Sequence, residues 1–152
     1  MPNLFPEDTN LEENNIEESL EEPLEFKGSY LFDFEKGEFT INPDGTVAKC
    51  DDLQAYIQWC QIAMLTDRYK YVFSNLFGQE FRELKKSSLS RDGIELEIKR
   101  IIQETLLVHP RTRKVNNFNF NWSDNKEEVY CEFQIITIDD EKITLDNNVK
   151  VR

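Results

Sequence analysis

Glycine and proline are scarce, with five of each among 152 residues. The glycines are scattered, so no glycine-rich loop can cradle a phosphate. There is one histidine, His109. It stands beside Pro110, Arg111 and Arg113 with no adjacent acid, so it is not set up as a general base. The three cysteines, Cys50, Cys60 and Cys131, form neither a CxxC pair nor a metal-ligand spacing. They read as reduced thiols packed as small hydrophobes. No serine or cysteine occupies a nucleophile motif. Carboxylates are plentiful, so no particular pair stands out for glycoside hydrolysis. No catalytic residue, metal site or cofactor is expected.

No apolar run approaches the ~20 residues needed to span a bilayer. The opening Met1-Pro2-Asn3-Leu4-Phe5-Pro6 lacks the features of a signal peptide. These observations predict a protein made and used in the cytoplasm, with no membrane partner. Basic residues are missing from one end. Residues 1–26 hold 9 acids and no base, whereas the remaining residues hold 21 acids and 18 bases. The formal net charge of −12 therefore divides into −9 and −3. A nearly balanced body without a basic face argues against nucleic acid as a partner.

Aromatic residues are abundant at 12% and apolar residues reach 39%, enough to build a core. The predicted division is an acidic N-terminal arm over 1–26 and a single domain over 27–152. In the arm, Ile16, Leu20 and Leu24 are four apart and would share a helix face. With Phe5 they are candidate anchors on a neighbouring protein. The alternative is a solvated tail.

From residue 26 the pattern becomes short strands. Tyr30, Phe32 and Phe34 alternate with Leu31 and Asp33, followed by Glu38–Ile41 and Thr46–Ala48. Lys36-Gly37 and Asn42-Pro43-Asp44-Gly45 supply the turns. A helix is predicted over 51–66, capped by Asp51 or Asp52, with Leu53, Tyr56, Ile57, Cys60, Ala63 and Met64 as a continuous stripe. Trp59 and Ile62 lie off that stripe, which makes Trp59 a candidate partner contact. Tyr69–Phe73 reads as a strand, Phe81–Leu84 as a brief helical piece, and 92–108 as a second helix capped by Asp92 and stopped at His109-Pro110. Three strands follow, over 114–122, 128–138 and 141–151. The fold class is α+β, a mainly antiparallel sheet with two packed helices and an extended acidic arm.

His109-Pro110-Arg111 has two readings. It is a helix stop whose arginines answer the negative end of the helix dipole. Or Arg111 is held in the core by backbone carbonyls or a carboxylate, which its fixed fork of donors suits.

Ala63-Met64-Leu65-Thr66-Asp67-Arg68 runs into Tyr69-Lys70-Tyr71-Val72-Phe73, then Phe77-Gly78-Gln79-Glu80-Phe81. Val108-His109-Pro110-Arg111-Thr112-Arg113-Lys114-Val115 and Phe118-Asn119-Phe120 come later. Together these resemble the baseplate wedge proteins of contractile phage tails, the W-like or tail-lysozyme-like family. Within it, the Bacillus and Clostridium prophage and tail-bacteriocin branch is the nearest in look. The resemblance covers about 28–150. It implies a structural sheath initiator that docks on other baseplate wedge subunits around the hub. Such a protein offers strands to the tail sheath protein and stands in multiple copies in a ring, near hub or tube proteins. It would assemble in the host cytoplasm and become part of a virion or tail-like particle. The family pattern places Glu-Pro-Arg between the second helix and the next strand. Here Pro110 and Arg111 match and His109 replaces the acid, so only the arginine's structural role carries over. The C-terminal hairpin, with Ile143, Leu145 and Val149, is the expected augmented edge. A tail glycosidase and a stand-alone acidic protein-binding module are the alternatives.

Overall fold

Residues 128–137 alternate strictly. Val129, Cys131, Phe133, Ile135 and Thr137 are buried, and the residues between them are exposed or half-buried. That period of two makes the segment a strand with one face on the core. It is the middle strand of a three-stranded antiparallel sheet in the computed structural model, which describes residues 23–70 and 75–152. The sheet is a meander of Thr112–Trp122 (β5), Glu128–Thr137 (β6) and Lys142–Lys150 (β7), in the order β5-β6-β7. Its turns need left-handed backbone, supplied by Lys126 (φ 58°) and Asp140 (φ 63°).

Two helices cover one face of the sheet. The first, Asp52–Leu65 (α1), starts at Asp51, whose carboxylate accepts from the Gln54 N–H at 2.7 Å. Its Tyr56, Cys60, Ala63 and Met64 are buried, four residues of the predicted stripe. The second, Arg91–Leu107 (α2), buries Ile94, Ile98, Ile101, Ile102, Thr105 and Leu106. Its cap is Ser90, which accepts from the Gly93 N–H, and not Asp92 as expected; Asp92 lies in the first turn. There its charge still favours the positive end of the helix dipole. The shared core joins these helix faces to Val115, Val129, Cys131, Phe133, Ile135, Val149 and Val151. Burial pushes the Cys60 and Cys131 thiols up to about 12, so both stay protonated.

The N-terminal strands are four pieces of two residues each. Ser29–Tyr30 (β1) pairs with Lys49–Cys50 (β4), and Phe32–Asp33 (β2) pairs with Glu38–Phe39 (β3). An isolated bridge joins Ile41 to Val47. Gln58 fastens this hairpin to α1. Its amide oxygen accepts from the Phe32 N–H at 2.8 Å, and its nitrogen donates to the Tyr30 carbonyl at 2.9 Å.

The strand expected over 69–73 is not formed where it can be seen. Tyr69 has φ 64° and sits in a turn with Lys70, while 71–73 fall outside the described residues. The segment is held by Arg68 N–H on the Gln79 carbonyl and Gln79 N–H on the Thr66 carbonyl, both 2.8 Å. Gly78 permits this closeness: at φ 104°, a side chain there would meet the Thr66 oxygen at 2.7 Å. A 3-10 helix, Phe81–Lys86, follows.

Candidate functional site: an open sheet edge and the arginine junction beside it

β7 pairs with β6 through nine consecutive register positions without a slip, from Glu128↔Lys150 to Ile136↔Lys142. The ladder's phase is fixed at both ends, where the Val151 N–H donates to the Glu127 carbonyl and the Thr137 N–H to the Glu141 carbonyl. Hydrogen-bonded and non-bonded pairs alternate in an antiparallel ladder. The odd residues of β7 therefore bond inward to β6. The even residues, Lys142, Thr144, Asp146, Asn148 and Lys150, turn their N–H and C=O groups away from the sheet. No further strand is hydrogen-bonded there among the described residues. Among the described residues the edge thus offers unpaired donors and acceptors at a regular repeat.

The same alternation sorts the side chains. Those of the five even residues are exposed on the open face. Ile143 and Leu145 are half-buried against the core, and Val149 is only 2% exposed. The expectation that the Val149 side chain contacts a partner is corrected: it points into the core opposite Val129. Beside the middle of β7 a cleft of about 180 Å³ opens between Phe34, Met64, Leu65 and Leu145. A second cleft continues toward Lys150 past Phe81, Arg82 and Lys85.

At the start of β7 lies the His109 turn. α2 ends at Leu107, and the chain reverses so that Arg111 points inward with 3% exposure. Carboxylates hold its guanidinium: Nη1 donates to Asp52 Oδ2 at 2.8 Å and Nη2 to Glu141 Oε2 at 3.0 Å, with Asp139 at 3.8 Å. Phe26 and Tyr56 lie under it, with ring centroids 5.1 and 5.7 Å from the guanidinium carbon. Burial opposes its charge, but the hydrogen bonds to Asp52 and Glu141 outweigh that and raise its pKa. The same bond holds Asp52 below the ordinary carboxylate value. His109 faces Tyr56 at 4.9 Å and Trp59 at 4.6 Å, and its Nδ1 accepts from the Arg111 N–H at 3.1 Å. Burial, then the Arg111 charge, lowers its pKa. It is a neutral acceptor that shapes the turn. Trp59 packs on His109 and Phe77, which accounts for its place off the helix stripe.

Of the arm anchors, Leu24 is 63% exposed, and Phe5, Ile16 and Leu20 lie outside the described residues. Sequence reasoning did not single out Phe26, Gln58 or Glu141, and it named Asp52 only as a possible helix cap. The acids look like every other acid in an acidic chain, and only the fold reveals which face Arg111.

The geometry defines a class: a small α+β protein with an intact antiparallel edge, open among the described residues, and a buried arginine bridging two carboxylates at its root. Comparison with known proteins gives the family. The profile described as contractile injection system sheath initiator matches residues 28–140, and the chain belongs to that family. It is a structural part of a contractile injection system. A candidate tail lysozyme from Geobacter sulfurreducens has a similar fold at 12% identity, with TM-score 0.57 over 68% of this chain and 94% of that one. A chain of the anti-feeding prophage baseplate, 6-fold symmetrised, gives TM-score 0.52 at 12% identity over 84% and 87%. No curated protein sequence matches.

Proposed function

We propose that this protein is a non-catalytic subunit of a tail-like particle's baseplate and that it seeds the sheath by accepting a strand on β7. The observation that carries this reading is the uninterrupted edge, nine register pairs long, in a member of the sheath initiator family. A free sheath subunit would have to order an extended segment unaided, at roughly 1–2 kcal/mol per residue. A preformed edge supplies backbone partners as that segment orders, so the first ring forms where the edge is displayed. The other partners in this reading are baseplate wedge subunits and, behind them, hub or tube proteins, with several copies arranged in a ring. Assembly takes place in the host cytoplasm. The acidic arm runs along a neighbouring subunit, with Phe5, Ile16, Leu20 or Leu24 as anchors. The His109-Pro110-Arg111 turn sets the root of β7.

The test is sheath assembly on purified baseplates carrying Thr144→Pro. The Thr144 N–H points outward, so proline there removes a donor from the edge and none from the β6–β7 ladder. Baseplates that form but carry no sheath support the reading; normal sheath overturns it. A glycosidase would instead clear peptidoglycan in a turbidity assay, and clearing lost on one Glu→Gln change would replace this reading.

A further inference from the structure

The open edge has a charge order and a bordering cleft, and together they specify what can be added to it. On the solvent face, the residues with outward backbone groups read Lys142, Thr144, Asp146, Asn148, Lys150. The pattern is cation, neutral, anion, neutral, cation. It is symmetric about Asp146, so a parallel and an antiparallel strand meet the same order. On the helix face, the cleft of about 180 Å³ lies beside residues 145–147, with Phe34, Met64 and Leu65 as its other walls. Leu65 is 68% exposed at its mouth, a large apolar side chain with room on one side.

From these we infer that the β7 edge selects an extended segment with acid, base and acid opposite Lys142, Asp146 and Lys150, and with aliphatic residues on both sides of the central base. The inference rests on the reading of β7 as an augmented edge and adds the chemistry of the strand. In an added strand, neighbours of the residue facing Asp146 point to the opposite face, because side chains alternate. Those two neighbours stand over the cleft and cover Leu65 and Phe34. Directly opposite residues are the pairs that interact most across a sheet. A segment with the reverse charge order would set like charges face to face at three places.

The test uses fluorescence anisotropy and a capped peptide, Glu-Val-Thr-Leu-Lys-Leu-Thr-Val-Glu, which reads the same in both directions and spans the nine residues of β7. Two controls replace both Leu by Ser, or exchange every Glu with Lys and the Lys with Glu. The full chain is expected to bind the first peptide and each control about tenfold more weakly. High salt should shrink only the difference due to charge. Leu65→Asp, at an exposed position, should erase the preference for Leu over Ser, and Thr144→Pro should abolish binding of all three. Equal binding of the peptides, with Thr144→Pro still blocking them, overturns the selection pattern and leaves strand addition standing. If no peptide binds, the selection pattern is also overturned. In that case sheath assembly on Thr144→Pro baseplates separately decides whether the edge accepts a strand.

Discussion

The two edges of the sheet are built from similar material and differ in regularity. β7 runs beside β6 with no slip, whereas β5 slips twice, between Thr112 and Lys114 and between Asn116 and Asn119. Each slip places an extra residue in β5. Asn117, in the second, adopts φ 54°. A bulge bends its strand, increases its twist and breaks the alternation of outward amides. β5 also carries α2 across its face, with Lys99 over the Phe118 ring at 5.6 Å and the Trp122 indole N–H donating to Glu95 at 2.7 Å. Bulges and cover are ways by which proteins keep an edge from recruiting strands. One edge is thus guarded by its two slips and by the Gln103 side-chain amide, which donates to the Val115 carbonyl at 3.1 Å, while the other is left regular. An open edge is a hazard unless something is meant to pair with it.

The largest test of this contrast lies within β7 itself. Ile143→Pro removes an inward ladder donor, leaves the Ile135 carbonyl without its partner, and should destabilise the fold by about 2–3 kcal/mol. Thr144→Pro, one residue on, should cost less than about 1 kcal/mol and still abolish sheath seeding. Urea unfolding beside an assembly assay reads both; equal destabilisation would refute the assigned phase of the ladder. The second test opens the guarded edge. Deleting Arg113 and Asn117 restores strict alternation from Thr112 to Trp122. The variant should self-associate with rising concentration in light scattering while the native chain does not.

The third test concerns the root of β7. Arg111→Met keeps the bulk but releases Asp52 and Glu141. Because both carboxylates can turn to water, the expected loss is about 1–2 kcal/mol in urea, and Arg111→Lys should not restore it, lacking the fork. The smallest effect is on pH. The folded pKa of His109 lies below its ordinary 6.5, so the unfolded chain takes up the proton first and stability falls as pH drops below that value. His109→Asn should flatten this part of the profile. Asp52 is depressed below 3.8, so its contribution is present above that value and is lost as pH falls through the lower, folded pKa. Asp52→Asn should remove that further loss.

The periodic elements could be read from the residues alone. α1, α2 and the three strands of the meander follow from apolar spacing and turn residues, and their ends lie within two positions of expectation. What spacing does not encode was missed. Both bulges fall within Arg113–Phe118, where the phase of burial shifts; no turn residue marks the first, and Asn117 in the second is one of several asparagines along the strand and does not stand out. Gln58 is buried on a helix because it meets two backbone groups of a distant hairpin, a tertiary fact. Ser90 displaced Asp92 as cap because the helix begins a residue earlier. Tyr69 is aromatic and looks like a strand former, yet the backbone contacts across Gly78 hold it in a left-handed turn. Of the site, the turn at Arg111 was visible and its carboxylate partners were not.

The Arg111 junction also matters when the molecule bears a load. A pull along β7 acts at right angles to the hydrogen bonds of the antiparallel ladder, so those bonds share the shear and do not peel apart singly. Creep of the strand along its neighbour is opposed by Glu141 at its foot, which is tied through one guanidinium to Asp52 at the head of α1. Tension from a strand added there would be handed sideways into a helix and the core, with Arg111 as the peg that holds β7 taut.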